Sequence, residues 1–369
     1  TRKYANRPTI HKHLPLDSGQ CDIAWVDCTM TERRNTRWKT QPKRTRTPPQ
    51  RDRSKTALEP HLKPMLTVEQ QIAHMKSKGI AFKLVSEEEA AAHLREKCQF
   101  FRIYAYRKLF PKRIGGPREG EYVKLDFGHL KALSNLDRQL RDVLLAMTLD
   151  IEHFSKVRLL AAAEIQGEDG YAIMRAYRES ASENQRSYID SKLDRREHDP
   201  YVGAIIRKYR HDMPMWVFCE SMPLGAFSSL VKFCAERWTD EELDDIHYLL
   251  KYVRSTRNAT AHGACWVNGI TDIDPRMRPP ATLVNALSST EIPRRLRNKW
   301  LRGARMIQIC VTLHLYGRIV PPGSCRSDRV RQLTCLFDIV HSSHLPAENP
   351  AVAALLFVER LTKATGLLL

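Results

Sequence analysis

No apolar run in these 369 residues approaches the roughly 18 that a helix needs to cross a bilayer, and no charged-then-apolar opening resembles a secretory signal. The expectation is a soluble, cytoplasmic protein with no membrane partner. The nine cysteines are odd in number, scattered, and never spaced C-x-x-C. That argues against a disulfide framework or a structural zinc site and for reduced core thiols. A G-x-x-x-x-G-K-S/T phosphate loop, an H-E-x-x-H helix, a G-x-S-x-G elbow and an acidic cluster suited to magnesium are all missing. No metal and no other cofactor is therefore expected. Acidic residues are in deficit as well: 42 Asp and Glu face 60 Lys and Arg, a formal charge of +18. Such a surplus draws a protein to polyanions, nucleic acid before anionic lipid.

What is present divides unevenly. Residues 1–60 hold 14 basic and six acidic side chains, a surplus of +8, with few apolar residues and no sustained period. A stretch of that kind cannot bury enough surface to offset its ordering entropy, so a disordered basic extension is expected, either an RNA-binding arm or a solvated tail. The rest of the charge, +10, belongs to the folded part, whose 42% overall hydrophobic content is enough for a core. The expected organisation is an N-terminal helical region over 61–125, a helical domain over 126–316 and a C-terminal helical extension over 317–369.

Helix signals dominate. Thr67 with Gln70 and Ser86 with Glu89 read as capping boxes, the second opening a helix expected from Ala90 to about Phe110. Its aromatic and basic string, Phe100 to Phe110, suits either core packing or stacking on bases. From Phe127 to about Ile165, leucines and other apolar residues recur at spacings of three and four, the pattern of one helix roughly 50 Å long at 1.5 Å per residue. Asp137, Arg138, Arg141, Asp142 and Glu152 on it read as a solvated polar face. Glu220 lies among apolar residues and reads as a partly buried carboxylate in need of an arginine or amide partner. Thr239 to Glu242 reads as a third capping box, a loop is expected from Gly263 to Ile292, and one helix from Arg294 to Tyr316. Arg294, Arg295 and Arg297 on that helix either track an RNA backbone or form a solvated basic face. Taken together the chain reads as all-α.

The stretch richest in chemistry is Arg254-Ser-Thr-Arg257-Asn258-Ala-Thr-Ala-His262-Gly263. Arginine binds phosphate as a fork, and histidine moves a proton near neutral pH. At about 100° per residue, Arg254, Asn258 and His262 share one helix face while Arg257 sits about 140° from His262. Either Arg257 reaches around, or the helix unwinds at His262-Gly263, where glycine is the usual stop. A histidine moving protons and an arginine stabilising charge on phosphorus can cleave RNA through its own 2′-OH without a metal.

The pattern Arg257-Asn258-Ala-Thr-Ala-His262 resembles the R-x4-6-H motif of the HEPN ribonuclease superfamily. Further stretches resemble one branch of it, the Abi-like abortive-infection proteins of phage defence: Lys63 to Thr67, Cys98 to Phe110, Leu136-Asp-Arg-Gln-Leu-Arg141, and Met213-Pro-Met-Trp216 through Glu220 to Phe227. The family usually has a polar amide where Cys98 stands. This resemblance spans roughly 63–316 and implies a HEPN-like helical bundle with additional helices. It also implies a metal-independent endoribonuclease, acting in defence or as a toxin, with Arg257, Asn258 and His262 as catalytic residues. Arg254, Glu220, Arg294, Arg295 and Arg297 are then supporting or phosphate-binding. The implied partners are RNA as substrate, a small regulatory or guide RNA, and a second copy in a homodimer that completes the site. The alternative is a non-catalytic RNA-binding regulator.

Overall fold

Fifteen α-helices and no strand occur among the described residues of this computed structural model, which are 64–367. The all-α expectation holds; the one made for residues 1–60 lies outside the described residues. Helices α1 (Val68–Ser77) and α2 (Glu87–Glu96) begin where Thr67 and Ser86 close capping boxes with Gln70 and Glu89. Helix α3 (Phe100–Ala105) follows a break and runs into a 3-10 turn, Tyr106–Leu109, so the single helix expected from Ala90 to Phe110 is interrupted. Neither glycine nor proline marks that break. Beyond it Ile103 and Tyr106 are buried, and both α3 and the turn pack against the next helix.

That helix, α4 (Phe127–Ile165), is the spine. Asp126 caps it, accepting from Gly128 N at 2.8 Å with one oxygen and from Lys83 N at 2.7 Å with the other. Leu130, Leu133, Leu136, Leu140, Leu144 and Met147 are fully buried along it, each such side chain stabilising the fold by roughly 1.5–3 kcal/mol before entropy is counted. Four shorter helices follow, α5 (Ala172–Ser180), α6 (Glu183–Arg196), α7 (Gly203–Tyr209) and α8 (Met215–Ser221).

Helices α9 (Leu224–Trp238) and α10 (Glu241–Ala261) are joined by two residues. Thr239 does not cap α10 as expected: it takes a left-handed conformation, φ 54°, to end α9, and Asp240 caps α10 by accepting from Leu243 N at 3.0 Å. The tight reversal needs one residue for each task. Helix α11 (Ala281–Ser288) lies in the segment expected to be loop. The single helix expected from Arg294 to Tyr316 is two, α12 (Arg294–Trp300) and α13 (Ala304–Ile319). Gly303 separates them because a Cβ there would come within 2.2 Å of the Asp272 carbonyl oxygen. Helices α14 (Ser324–Ser342) and α15 (Pro350–Ala364) complete the chain.

Helix α10 packs on α9, α4 and α13, and α13 packs in turn on α4. Its inward stripe runs Leu243, Ile246, Leu249, Leu250, Val253, Thr256 and Thr260. The last two are small enough to let the helices approach, and Thr256 Oγ1 meets Thr312 Oγ1 of α13 at 3.4 Å. Pro64–Leu369 forms one compact unit.

Candidate functional site

With the inward stripe fixed by burial, the opposite face of α10 must point to solvent. Arg254, Asn258 and His262 are exposed on it, and Arg257 is half-buried at its edge. The helix stays regular through Ala261, His262 is its C-cap (φ −84°, ψ 11°), and Gly263 alone turns left-handed at φ 64°. Unwinding is thus confined to the glycine, the residue that adopts this conformation at least cost. None of the four side chains forms a hydrogen bond or ion pair among the described residues, so all are available to a ligand. Arg254 lies across Gly225 of α9, where a Cβ would come within 2.8 Å of its Nη1 and 3.6 Å of the Tyr188 hydroxyl.

The segment just beyond the helix end is held by three groups from earlier in the chain. The Arg102 guanidinium donates to the Gly263 carbonyl. Asp137, 1% exposed, accepts from Trp266 N at 2.6 Å and Val267 N at 2.8 Å with Oδ1, while Oδ2 takes the Arg141 guanidinium at 2.8 Å. The Asp137 carboxylate is therefore no part of a solvated face. It sits four residues after Leu133 and three before Leu140, on the apolar stripe, and two backbone N–H groups with one arginine satisfy it there. Tyr106 lies against Cys265, and burial raises the pKa of both.

Arg102 also lines a cleft of about 860 Å³, bounded by the end of α2 and the first turns of α4. Lys97, Lys131, Arg138 and Arg141 make its lining basic, and His93 stands among them. Arg138 is tied to Asp142 at 3.1 Å, whereas Lys97 and Lys131 have no ion-pair partner among the described residues. Burial first, then the Lys131 and Lys97 charges, hold the His93 pKa below its usual value, which keeps the ring neutral. The sequence shows Lys97 four residues after His93 but not the nearness of Lys131, which comes from α4.

Other expected site residues lie elsewhere. Glu220 is exposed and has no side-chain partner among the described residues. Its apolar neighbours Met215, Val217, Phe218 and Cys219 occupy the buried side of α8, while Glu220 shares the outer side with Trp216 four residues before it. The expectation of a buried carboxylate orienting an arginine is overturned. Arg294 and Arg295 are exposed on α12, and Arg297 is half-buried, donating to Ser288 Oγ at 2.8 Å.

Among the described residues no helix is long and apolar enough to cross a membrane. Comparison with protein families gives a match between residues 93–268 and the family described as Abi-like protein. No curated protein and no solved structure matches the chain. The matched stretch opens at His93 in the cleft and closes one residue beyond Val267, which Asp137 holds; the cleft's α4 residues and the end of α10 lie inside it.

Proposed function

The chain carries an Abi-like region over residues 93–268, and from that premise we propose that it is a metal-independent endoribonuclease acting in abortive infection, the phage-defence role this family suggests. The observation that carries the reading is the unengaged set Arg254, Arg257, Asn258 and His262 at a capped helix end, tethered through Arg102 to a basic cleft. In this reading His262 is the general acid/base. It takes the proton of a ribose 2′-OH as that oxygen attacks the adjacent phosphorus, or returns one to the departing 5′-oxygen. Arg257 stabilises the charge that gathers on the phosphorane oxygens, and Asn258 positions the phosphate. The bond formed is 2′-O–P, the bond broken is P–5′-O, and the products are a 2′,3′-cyclic phosphate and a 5′-hydroxyl. Two proton transfers need two groups, and a homodimer with paired copies of α10 supplies the second histidine and arginine.

RNA incubated with the protein in excess chelator is expected to be cut, and His262→Ala to lower the rate by about 10²-fold or more. Undiminished cleavage by that variant sinks the assignment. One observation favours a second reading, a non-catalytic RNA-binding module: no hydrogen bond from the described residues orients the His262 ring. That module binds RNA in a salt-sensitive manner, returns it intact, and keeps its affinity in His262→Ala.

A further inference from the structure

Away from the α10 face, the turn over 273–279 and helices α11 and α12 enclose a cavity of about 750 Å³. Four arginines line it, Arg278, Arg294, Arg297 and Arg302. The one carboxylate in the lining, Asp274, is already committed, accepting from Arg276 N at 3.0 Å and Arg276 Nε at 3.3 Å. None of the four arginines has an ion-pair partner among the described residues. Arg278 turns to the carbonyls of Pro275 and Met277, and Arg297 reaches Ser288 while its Nε is buried with no partner. A guanidinium does not shed its proton in a protein, so four in one cavity repel one another until an anion enters.

Apart from Ser288 and Asn298 the remaining lining is apolar, and part of it stands open: Ile273 is 62% and Val284 38% exposed, beside buried Leu287 and Leu301. The arrangement is held in place by a backbone bond from Asp274 N to the Arg302 carbonyl at 3.0 Å, and by the close approach of Asp272 to Gly303. Forked cations and apolar side chains lining one cavity call for a ligand that carries both an anion and an apolar surface. Inorganic phosphate alone leaves the apolar side chains uncovered, and a duplex keeps its bases stacked inside its sugar-phosphate backbone. A volume of this size falls within the 300–1,000 Å³ typical of small-ligand pockets.

We propose that this cavity binds a phosphorylated nucleotide, free or at the end of an RNA strand, with its phosphate on Arg278, Arg294, Arg297 and Arg302 and its base against the Ile273–Val284 wall. The site is separate from His262 and does not depend on the ribonuclease reading. The test is calorimetric titration of the full chain, carrying His262→Ala so that no RNA is consumed, with four probes: ATP, adenosine, and one short oligoribonucleotide bearing either a 5′-phosphate or a 5′-hydroxyl. Saturable binding is expected for at least one phosphorylated probe, weaker by about tenfold or more for its phosphate-free counterpart. Arg294→Glu and Arg302→Glu, at exposed positions, should each lower that affinity by about tenfold; should a reversal unfold the chain, Arg294→Gln and Arg302→Gln read the same loss. Preference for ATP assigns a free nucleotide, and preference for the phosphorylated strand assigns an RNA end. Absence of saturable binding, equal affinity for the phosphate-free probes, or affinity untouched by the substitutions overturns the proposal.

Discussion

Asp137 shows how one side chain can be indispensable to a site it does not occupy. Its two oxygens serve three donors, two of them the backbone N–H groups of Trp266 and Val267 beyond the α10 end. Asp137→Ala strands those two N–H groups in a dry interior and leaves the part-buried Arg141 without its partner. The expected cost is about 3 kcal/mol or more, read as a lower urea midpoint, with Asp137→Asn keeping part of the loss back because its amide oxygen still accepts. The shared exposed face of Arg254, Asn258 and His262 was legible from helical spacing, whereas Arg257 was singled out by the resemblance and stands half-buried at that face's edge. Asp137 was legible in principle, as a carboxylate on a leucine stripe. Glu220 misled because apolar neighbours in sequence are the other side of its own helix in space.

At the scale of elements, long periodic stretches and the caps at Thr67 and Ser86 were readable, while the cap at Thr239 and the breaks inside 90–110 and 294–316 were not. The bounds of α4 follow from its repeat, and α1 and α2 from Thr67 and Ser86. The break before α3 falls at 97–99, where neither glycine nor proline marks it, and Ile103 and Tyr106 beyond it are buried. Between α12 and α13 the signal was a single glycine. Gly303 is the N-cap of α13, in extended backbone that alanine can also adopt, so Gly303→Ala meets no conformational obstacle, yet its Cβ meets a backbone oxygen at 2.2 Å, which no rotamer relieves. The clash is expected to cost about 1–3 kcal/mol and to lower the melting temperature by several degrees.

At the scale of the whole molecule, four half-buried histidines among the described residues are held toward the neutral form. Burial is the leading cause holding His93, His129, His247 and His314 below their ordinary pKa. Unfolded, each takes up a proton near pH 6.5, so below that value the unfolded chain binds more protons than the folded one. Stability should therefore be full above about pH 7 and fall as pH drops through 6.5 toward the depressed folded values, seen as a lower urea midpoint at pH 5.5 than at pH 7.5. The packing of α10 also sets an order of events during synthesis. Its inward stripe is closed by α4, made before it, and by α13, made after it, with Thr256 meeting Thr312 across 56 residues of later chain. While α13 is still inside the ribosome, Thr256 has no cover on that side. A nascent chain thus holds the whole Arg257–His262 motif without a finished helix packing to present it, and a cell making this protein meets the assembled face only after translation has moved well past the motif.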